Sequence, residues 1–250
     1  MFMFHKKRVP ALLPFHTDLH AHILPGIDDG SPDPVTSIAL LRQMQSWGIT
    51  RVYATPHVAG GVFENTPESI AAAHRILLEN AAREGLEMEI YCSAEYRIDD
   101  NFRRIVDEGC SEIVPLPGDY VLVEHPFRQP ALDIEEILFR LKLKGYTPIL
   151  AHPERYYYYH HKKEVYPYLH ESGCLFQTNL LSLAGYYGKE PRETALWLYK
   201  NGLVDFLGSD LHRADQAQAI SDWLSSREYR QMADRLAQAD NDTLGTQGVK

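Results

Sequence analysis

Seven short apolar runs punctuate the 250-residue chain, and six of them end in residues that ligate metals. The runs lie near residues 15–19, 51–54, 89–94, 120–123, 148–151, 175–177 and 205–207. The first ends Asp18-Leu19-His20-Ala21-His22 and the second Thr55-Pro56-His57. The third ends Ala94-Glu95-Tyr96-Arg97, the fourth Glu124-His125-Pro126 and the fifth His152-Pro153-Glu154-Arg155. The sixth ends Gln177-Thr178-Asn179, and the seventh Ser209-Asp210-Leu211-His212. Segments with helical apolar spacing lie between most of them, at 34–47, 67–83, 134–144 and 192–201, with weaker signals at 102–107 and 163–171. Strands alternating with helices imply βα units on a parallel sheet, and about seven units suit a barrel or an open sheet.

In a parallel barrel the carboxyl ends of all strands face one rim, so these side chains would converge there. Residues i and i+2 of a strand point to the same side, which makes His20 with His22, and Asp210 with His212, candidate chelating pairs. Gathering imidazoles and carboxylates in one buried place is costly unless something pairs with them. Divalent ions meet that need. A donor set without thiolate favours manganese, iron or zinc over a soft-metal site, and bridging carboxylates would support two or three ions. Taken singly, a histidine of this kind reads as a hydrogen-bonded strand-end residue. His74, His125, His160, His161 and His170 are read that way.

Charge and cysteine usage narrow the function classes. Lysine plus arginine is 25 and aspartate plus glutamate 34, a net charge of −9 that speaks against nucleic acid as partner. No apolar run approaches the roughly 18 residues of a membrane span, and residues 1–14 form an extension without the pattern of a secretory signal. The expected location is the cytoplasm. Cys92, Cys110 and Cys174 show no C-x-x-C, and Cys92 stands one residue too close to Arg97 for a thiol phosphatase loop. Serine-nucleophile and phosphate-loop motifs are also missing. The chain reads as one domain spanning 1–250, with closing helices in 213–239 and a polar tail, 240–250, that frays.

The stretch Asp18-Leu19-His20-Ala21-His22-Ile23-Leu24-Pro25-Gly26-Ile27-Asp28-Asp29-Gly30 resembles the first motif of the polymerase and histidinol phosphatase (PHP) superfamily. More closely, it is similar to the manganese-dependent tyrosine-protein phosphatases of bacterial capsule and exopolysaccharide loci. The His57, Glu95, Glu124, His152 and Asp210-x-His212 motifs follow in that family's order. The resemblance implies an α/β fold, a distorted TIM-like barrel of seven βα units, with three divalent ions at its carboxyl rim. The implied ligands are His20, His22, Asp29, His57, Glu95, Glu124, His152, Asp210 and His212, with Asp28 adjacent to Asp29 and Glu95 bridging. Arg155 matches a phosphate-binding arginine. The family's second arginine, a few residues after D-x-H, has no counterpart among Ala214 to Ala217, and Arg213 stands in its neighbourhood instead.

The implied activity is phosphomonoester hydrolysis by metal-activated hydroxide, with Arg155, Asp210 and His212 in catalytic roles and Arg155 and Arg213 binding substrate. The implied partner is the phosphotyrosine-bearing tail of a tyrosine kinase; the oligomeric state is left open, a homo-oligomer included. The alternative within the superfamily is a small-molecule enzyme such as a histidinol phosphatase. An amidohydrolase-like barrel and a catalytically silent metal-binding protein are more distant readings. The run Tyr156 to Tyr159 reads either as an aromatic wall for phosphotyrosine or, preferably, as a loop packed over the barrel mouth.

Overall fold

The computed structural model describes residues 11–244. In chain order its elements are β1 (Thr17–Ala21), α1 (Pro34–Ser46), β2 (Arg51–Ala54), β3 (His57–Val58), α2 (Pro67–Arg83), β4 (Glu89–Cys92) and β5 (Glu95–Arg97). There follow α3 (Asp100–Asp107), β6 (Tyr120–Glu124), α4 (Ile134–Leu143), β7 (Thr147–Ala151), α5 (Val165–Glu171) and β8 (Leu175–Asn179). The last are the one-turn α6 (Leu180–Leu183), α7 (Lys189–Lys200), β9 (Phe206–Gly208), α8 (Ala214–Leu224) and α9 (Arg227–Leu236).

Helix starts follow from local chemistry. Asp33 caps α1 by accepting from Thr36 N at 2.8 Å, and Pro34 follows with φ already set for a helix. Thr66 and Ser69 form a reciprocal capping box around Pro67 at the start of α2. The inner faces of the helices, such as Ile38, Leu40, Leu41 and Met44 of α1, bury against the sheet.

All strand ladders are parallel. They divide into β1-β2-β4 and β3-β5-β6-β7-β8-β9. These are two parts of one distorted α/β barrel. The second and third apolar runs each break into a lower and an upper strand, β2 with β3 and β4 with β5. Near those breaks Thr55 N donates to Ala21 O and Ser93 N to Ala54 O. Between β1 and the end of β9, Asp210 N donates to His20 O at 2.8 Å and His22 N to Leu211 O at 3.0 Å.

Inside this ring the side chains form layers. Leu19, Tyr53, Leu122, Ile149, Phe206 and Leu244 make an apolar floor. Because strand residues alternate, the next inward positions lie on the rim side: Glu124 follows Leu122, and Gly208 follows Phe206. β1 departs from strict alternation, since Leu19 joins the floor and its neighbour His20 the rim. The register between β1 and β2 shifts between Asp18 and Ala21, and an irregularity of that kind re-aims side chains. At Gly208 the inward wall is so close that a Cβ would stand 2.7 Å from Gln177 Nε2 and 2.9 Å from His20 Cβ.

One terminal expectation changes. Residues 1–10 and 245–250 lie outside the described residues, but the rest of the extension and of the tail docks. Leu13 N donates to Trp47 O at 2.8 Å, and Leu13 and Phe15 are buried. Residues 240–244, expected to fray, turn under the barrel instead. Asn241 is fully buried; its Oδ1 accepts from Leu207 N at 2.9 Å, and its Nδ2 donates to Thr17 O at 2.8 Å and Leu207 O at 2.6 Å. Asp242 accepts from Thr17 N at 2.8 Å. A polar side chain that satisfies strand ends on both sides of the β1/β9 seam outweighs the flexibility that composition suggested. Asn241→Ala strands those partners and is expected to cost at least about 2 kcal/mol of stability in urea unfolding; a change under 0.5 kcal/mol would show that the docked tail contributes nothing.

Candidate metal centre

Glu95, the first residue of β5, stands at the centre of the rim and is fully buried. Its Oε2 lies 2.9 Å from His57 Nδ1 and 3.5 Å from both His20 Nε2 and His22 Nε2. Its Oε1 lies 3.0 Å from His152 Nε2. Glu124, from the end of β6, brings Oε1 to 3.5 Å from His57 Nδ1. Asp210 Oδ1 stands 3.3 Å from His22 Nε2 and 3.5 Å from His20 Nε2. Donor atoms within 4.8 Å of one another thus form three overlapping groups: His20–His22–Glu95, His57–Glu95–Glu124 and His22–Asp29–His57–His212.

The rings are aimed by hydrogen bonds behind them. His20 Nδ1 donates to Gln177 Oε1 at 2.7 Å, and His22 Nδ1 to Asp28 Oδ2 at 2.8 Å. Both histidines therefore turn Nε2 inward, 3.1 Å apart. An imidazole tied at one nitrogen to a carboxylate or carbonyl is the usual arrangement of a metal ligand, with the tie fixing tautomer and ring angle. Adjacent aspartates take different places: Asp28 is buried behind His22, whereas Asp29 is 59% exposed and stands 3.5 Å from both His57 Nε2 and His212 Nε2. Gly30 lets this loop cross His22, where a Cβ would meet the His22 carbonyl oxygen at 2.2 Å.

Asp210 and His212 do not pair as strand neighbours. Both lie beyond β9, and Asp210 has φ 51°, as His152 has φ 34°. Left-handed backbone at non-glycine residues is costly and is held here by the surrounding contacts. Asp210 Oδ2 accepts from Arg155 Nη1 at 2.6 Å and from Asn179 Nδ2 at 2.7 Å, leaving Oδ1 for the imidazoles. His212 Nδ1 donates to Asp210 O at 2.8 Å.

Asp29, Glu95, Glu124 and Asp210 are four carboxylates among five imidazoles, and among the described residues Arg155 is the one guanidinium paired to them. Burial opposes ionisation of Glu95 and Asp210, yet the imidazoles, His20 foremost, hold both well below the ordinary carboxylate range. The His212 ring holds Asp29 down to about 2. Burial opposes charge on His57, and Glu95 and Glu124 nevertheless push it up to about 10. Glu95 Oε2, Glu124 Oε2 and His152 Nδ1 are buried without an aligned hydrogen-bond partner among the described residues. Unspent oxygen and nitrogen donor atoms in a buried cluster of carboxylates and imidazoles fit divalent ions, and among the described residues no thiolate joins these groups.

Above the centre opens a cleft of about 290 Å³ lined by Asp29, Glu124, Phe127, Arg155, Tyr187 and Arg213, among others. Arg155 projects into it with its guanidinium 4.2 Å from the Tyr187 ring centroid and 4.9 Å from that of Phe127. Arg213 lies at the rim, 62% exposed, and reaches Tyr186 Oη at 3.4 Å. Of the five histidines read as structural, four have local partners and His161 is exposed: His74 bonds Ile90 O, His160 bonds Glu154 O, and His170 bonds Asp205. His125 is buried against Tyr159, and its apolar setting pushes it down to about 3. Gln177 and Asn179 had a signal in the sequence, being i and i+2 at the end of the sixth run. Tyr187 lies in Gly185-Tyr186-Tyr187-Gly188, which follows Asn179 and resembles a stretch near the site in the capsule-locus phosphatases but reads equally as a helix-capping turn, and Phe127 had no signal beyond proximity to a motif residue.

Fold and site together define a class, the α/β barrels that carry a metal centre at the carboxyl rim. Residues 16–239 match the family described as capsular polysaccharide synthesis, CpsB/CapC, and the chain belongs to it. Tyrosine-protein phosphatase YwqE of Bacillus subtilis is 33% identical over 196 residues, 78% of this chain and 76% of that protein. The putative tyrosine-protein phosphatase CapC of Staphylococcus aureus is 31% identical over 199 residues, with coverage of 78% and 76%. Among solved structures, one described as those of YwqE from Bacillus subtilis and CpsB from Streptococcus pneumoniae, unique metal-dependent tyrosine phosphatases, superposes with TM-score 0.73 and 28% identity over 89% of this chain and 95% of that one. A histidinol phosphate phosphatase from Lactococcus lactis shares the fold at TM-score 0.54, with 15% identity over 88% and 93% of the two chains.

If Gln177 aims His20 at an ion, Gln177→Leu weakens manganese binding about 10–100-fold. Thermal unfolding reads this without catalysis, because a ligand of the folded state raises Tm according to its concentration over Kd. The variant should need 10–100 times more manganese for the same rise; an unshifted titration would remove Gln177 from the centre.

Proposed function

We propose that this chain is a cytoplasmic, single-domain, metal-dependent phosphomonoesterase that removes phosphate from tyrosine on a protein substrate. The substrate favoured is the phosphotyrosine tail of a bacterial tyrosine kinase that controls capsule or exopolysaccharide synthesis. The observation that carries this reading is Arg155, a guanidinium held by Asp210 and turned into the same cleft as the imidazole–carboxylate cluster. Its support is family membership together with relatives whose names are those of tyrosine-protein phosphatases.

His20, His22, Asp29, His57, Glu95, Glu124, His152, Asp210 and His212 would hold three ions, with manganese the favoured metal. Bound there, divalent ions supply Lewis acidity and water acidified toward a pKa of about 7. A phosphotyrosyl group brings about −1.5 to −2 charges at pH 7. Arg155 receives its equatorial oxygens and balances the charge that grows there, while Asp210 keeps the guanidinium in place from behind. Arg213, at the exposed rim, meets outer oxygens or acidic groups flanking the phosphotyrosine. His212 keeps Nδ1 on the Asp210 carbonyl and so turns Nε2 toward Asp29. A departing phenolate, whose conjugate acid has a pKa near 10, needs less proton help than an alkoxide.

Protein stripped of metal and reloaded with manganese should release phosphate from a phosphotyrosine peptide with kcat/KM orders of magnitude above that for histidinol phosphate. Arg155→Ala should lower that value about 10²–10³-fold, and Arg213→Ala only a few-fold through KM. Preference for histidinol phosphate would overturn the substrate assignment, and an Arg155→Ala enzyme of full activity would overturn the site.

A further inference from the structure

The hydroxyls of the tyrosine run bond a neighbouring loop. Tyr156 Oη accepts from His125 N at 2.9 Å and donates to Ala151 O at 3.0 Å. Tyr157 Oη donates to Arg128 O at 2.7 Å and Tyr158 Oη to Pro126 O at 3.1 Å. Tyr159 Oη meets His125 Nε2 at 3.2 Å, and His125 Nδ1 in turn accepts from Ala131 N at 3.2 Å. Four ties from four consecutive tyrosines, and the His125–Ala131 bond within the loop, thus pin residues 125–131, a loop with no strand or helix of its own before Ile134.

That loop carries Phe127. Its ring lies at 24° to the His152 ring, centroids 5.7 Å apart, and 4.9 Å from the Arg155 guanidinium carbon. It is nonetheless 40% exposed, and no other large apolar side chain lining the cleft is exposed to that degree among the described residues. Tyr187 comes from the α6–α7 connection and packs its ring 4.2 Å from the same guanidinium. The two rings therefore stand beside Arg155, the guanidinium to which the proposed function assigns phosphate binding.

We propose that Phe127 and Tyr187 form an aromatic slot that selects aryl over alkyl phosphate esters, and that the Tyr156–Tyr159 run is the staple that positions its Phe127 side. The inference rests on Arg155 binding phosphate, as in the proposed function. Phosphoserine and alkyl phosphates present no ring to the slot; a phosphotyrosyl ring stacks in it. Phe127 and Tyr187 are specificity residues, and the four tyrosines are positioning residues acting through the loop.

The test compares the manganese-loaded wild type with Phe127→Leu and Phe127→Ala on phenyl phosphate and glycerol phosphate. Leucine keeps apolar bulk and removes the ring face, so a folding defect in the alanine variant does not decide the outcome. The expected result is a fall of about tenfold in the aryl-to-alkyl ratio of kcat/KM, carried by KM for the aryl ester. Calorimetry gives a second readout: phenylphosphonate should lose about tenfold in affinity relative to methylphosphonate. An unchanged ratio, or equal losses on both esters, would overturn the slot. A wild type that hydrolyses neither ester, nor a phosphotyrosine peptide, would instead overturn the phosphatase reading on which it rests.

Discussion

One buried carboxylate organises the rim. Glu95 lies within 3.5 Å of imidazoles from β1, from the start of β3 and from the turn after β7. Such a group cannot be fully buried unless positive charge surrounds it. Strand ends, strand starts and the turns beyond them meet at the level of this group, which itself opens β5. The apolar floor of Leu19, Leu122, Ile149 and Phe206 lies below it and excludes water from beneath. The left-handed backbone of His152 and Asp210 is tolerated for the same reason: the centre repays in electrostatics what those two residues lose in conformation.

Around that centre, each donor depends on a partner that is not itself a donor. Gln177 aims His20, Asp28 aims His22, and Asn179 with Arg155 occupies the outer oxygen of Asp210. Arg155 is thereby shared between the cluster and the cleft. Its guanidinium is held by a carboxylate on one side and by two aromatic rings nearby, so little freedom remains to be lost when an anion arrives. The loop that brings one of those rings is held in turn by tyrosines that follow the His152 turn directly. A single stretch, 152–159, thus supplies a donor, an anion-binding cation and the braces of the neighbouring wall.

Much of this was legible in the chain. The seven βα units, the helices near 34, 67 and 134, and the convergence of His20, His22, His57, Glu95, Glu124, His152 and Asp210 all followed from strand alternation and from donors placed at run ends. The four-residue α6, the breaks between β2 and β3 and between β4 and β5, and the docking of 240–244 did not. Each is decided by contacts between distant segments, as when Asn241 joins Leu207 to Thr17. The expected strand pairing of Asp210 with His212 failed for a related reason. The chain leaves extended backbone at Asp210, whose φ is 51°, and the two side chains meet across that turn, His212 Nδ1 standing 3.5 Å from Asp210 Oδ1.

By itself, the sequence determined where strands and helices occur and which chemical groups stand at the strand ends, because hydrophobic period and residue type are local properties. Tertiary structure alone decided which atom of each group faces inward. Asp28 and Asp29 are neighbours of the same type, and only the fold buries one behind His22 and leaves the other at the cleft. The same holds for Phe127 and Tyr187, residues 60 apart in the chain that meet at Arg155. Their roles depend on distances across the barrel, and such distances follow from long-range pairing and loop closure that no local pattern encodes.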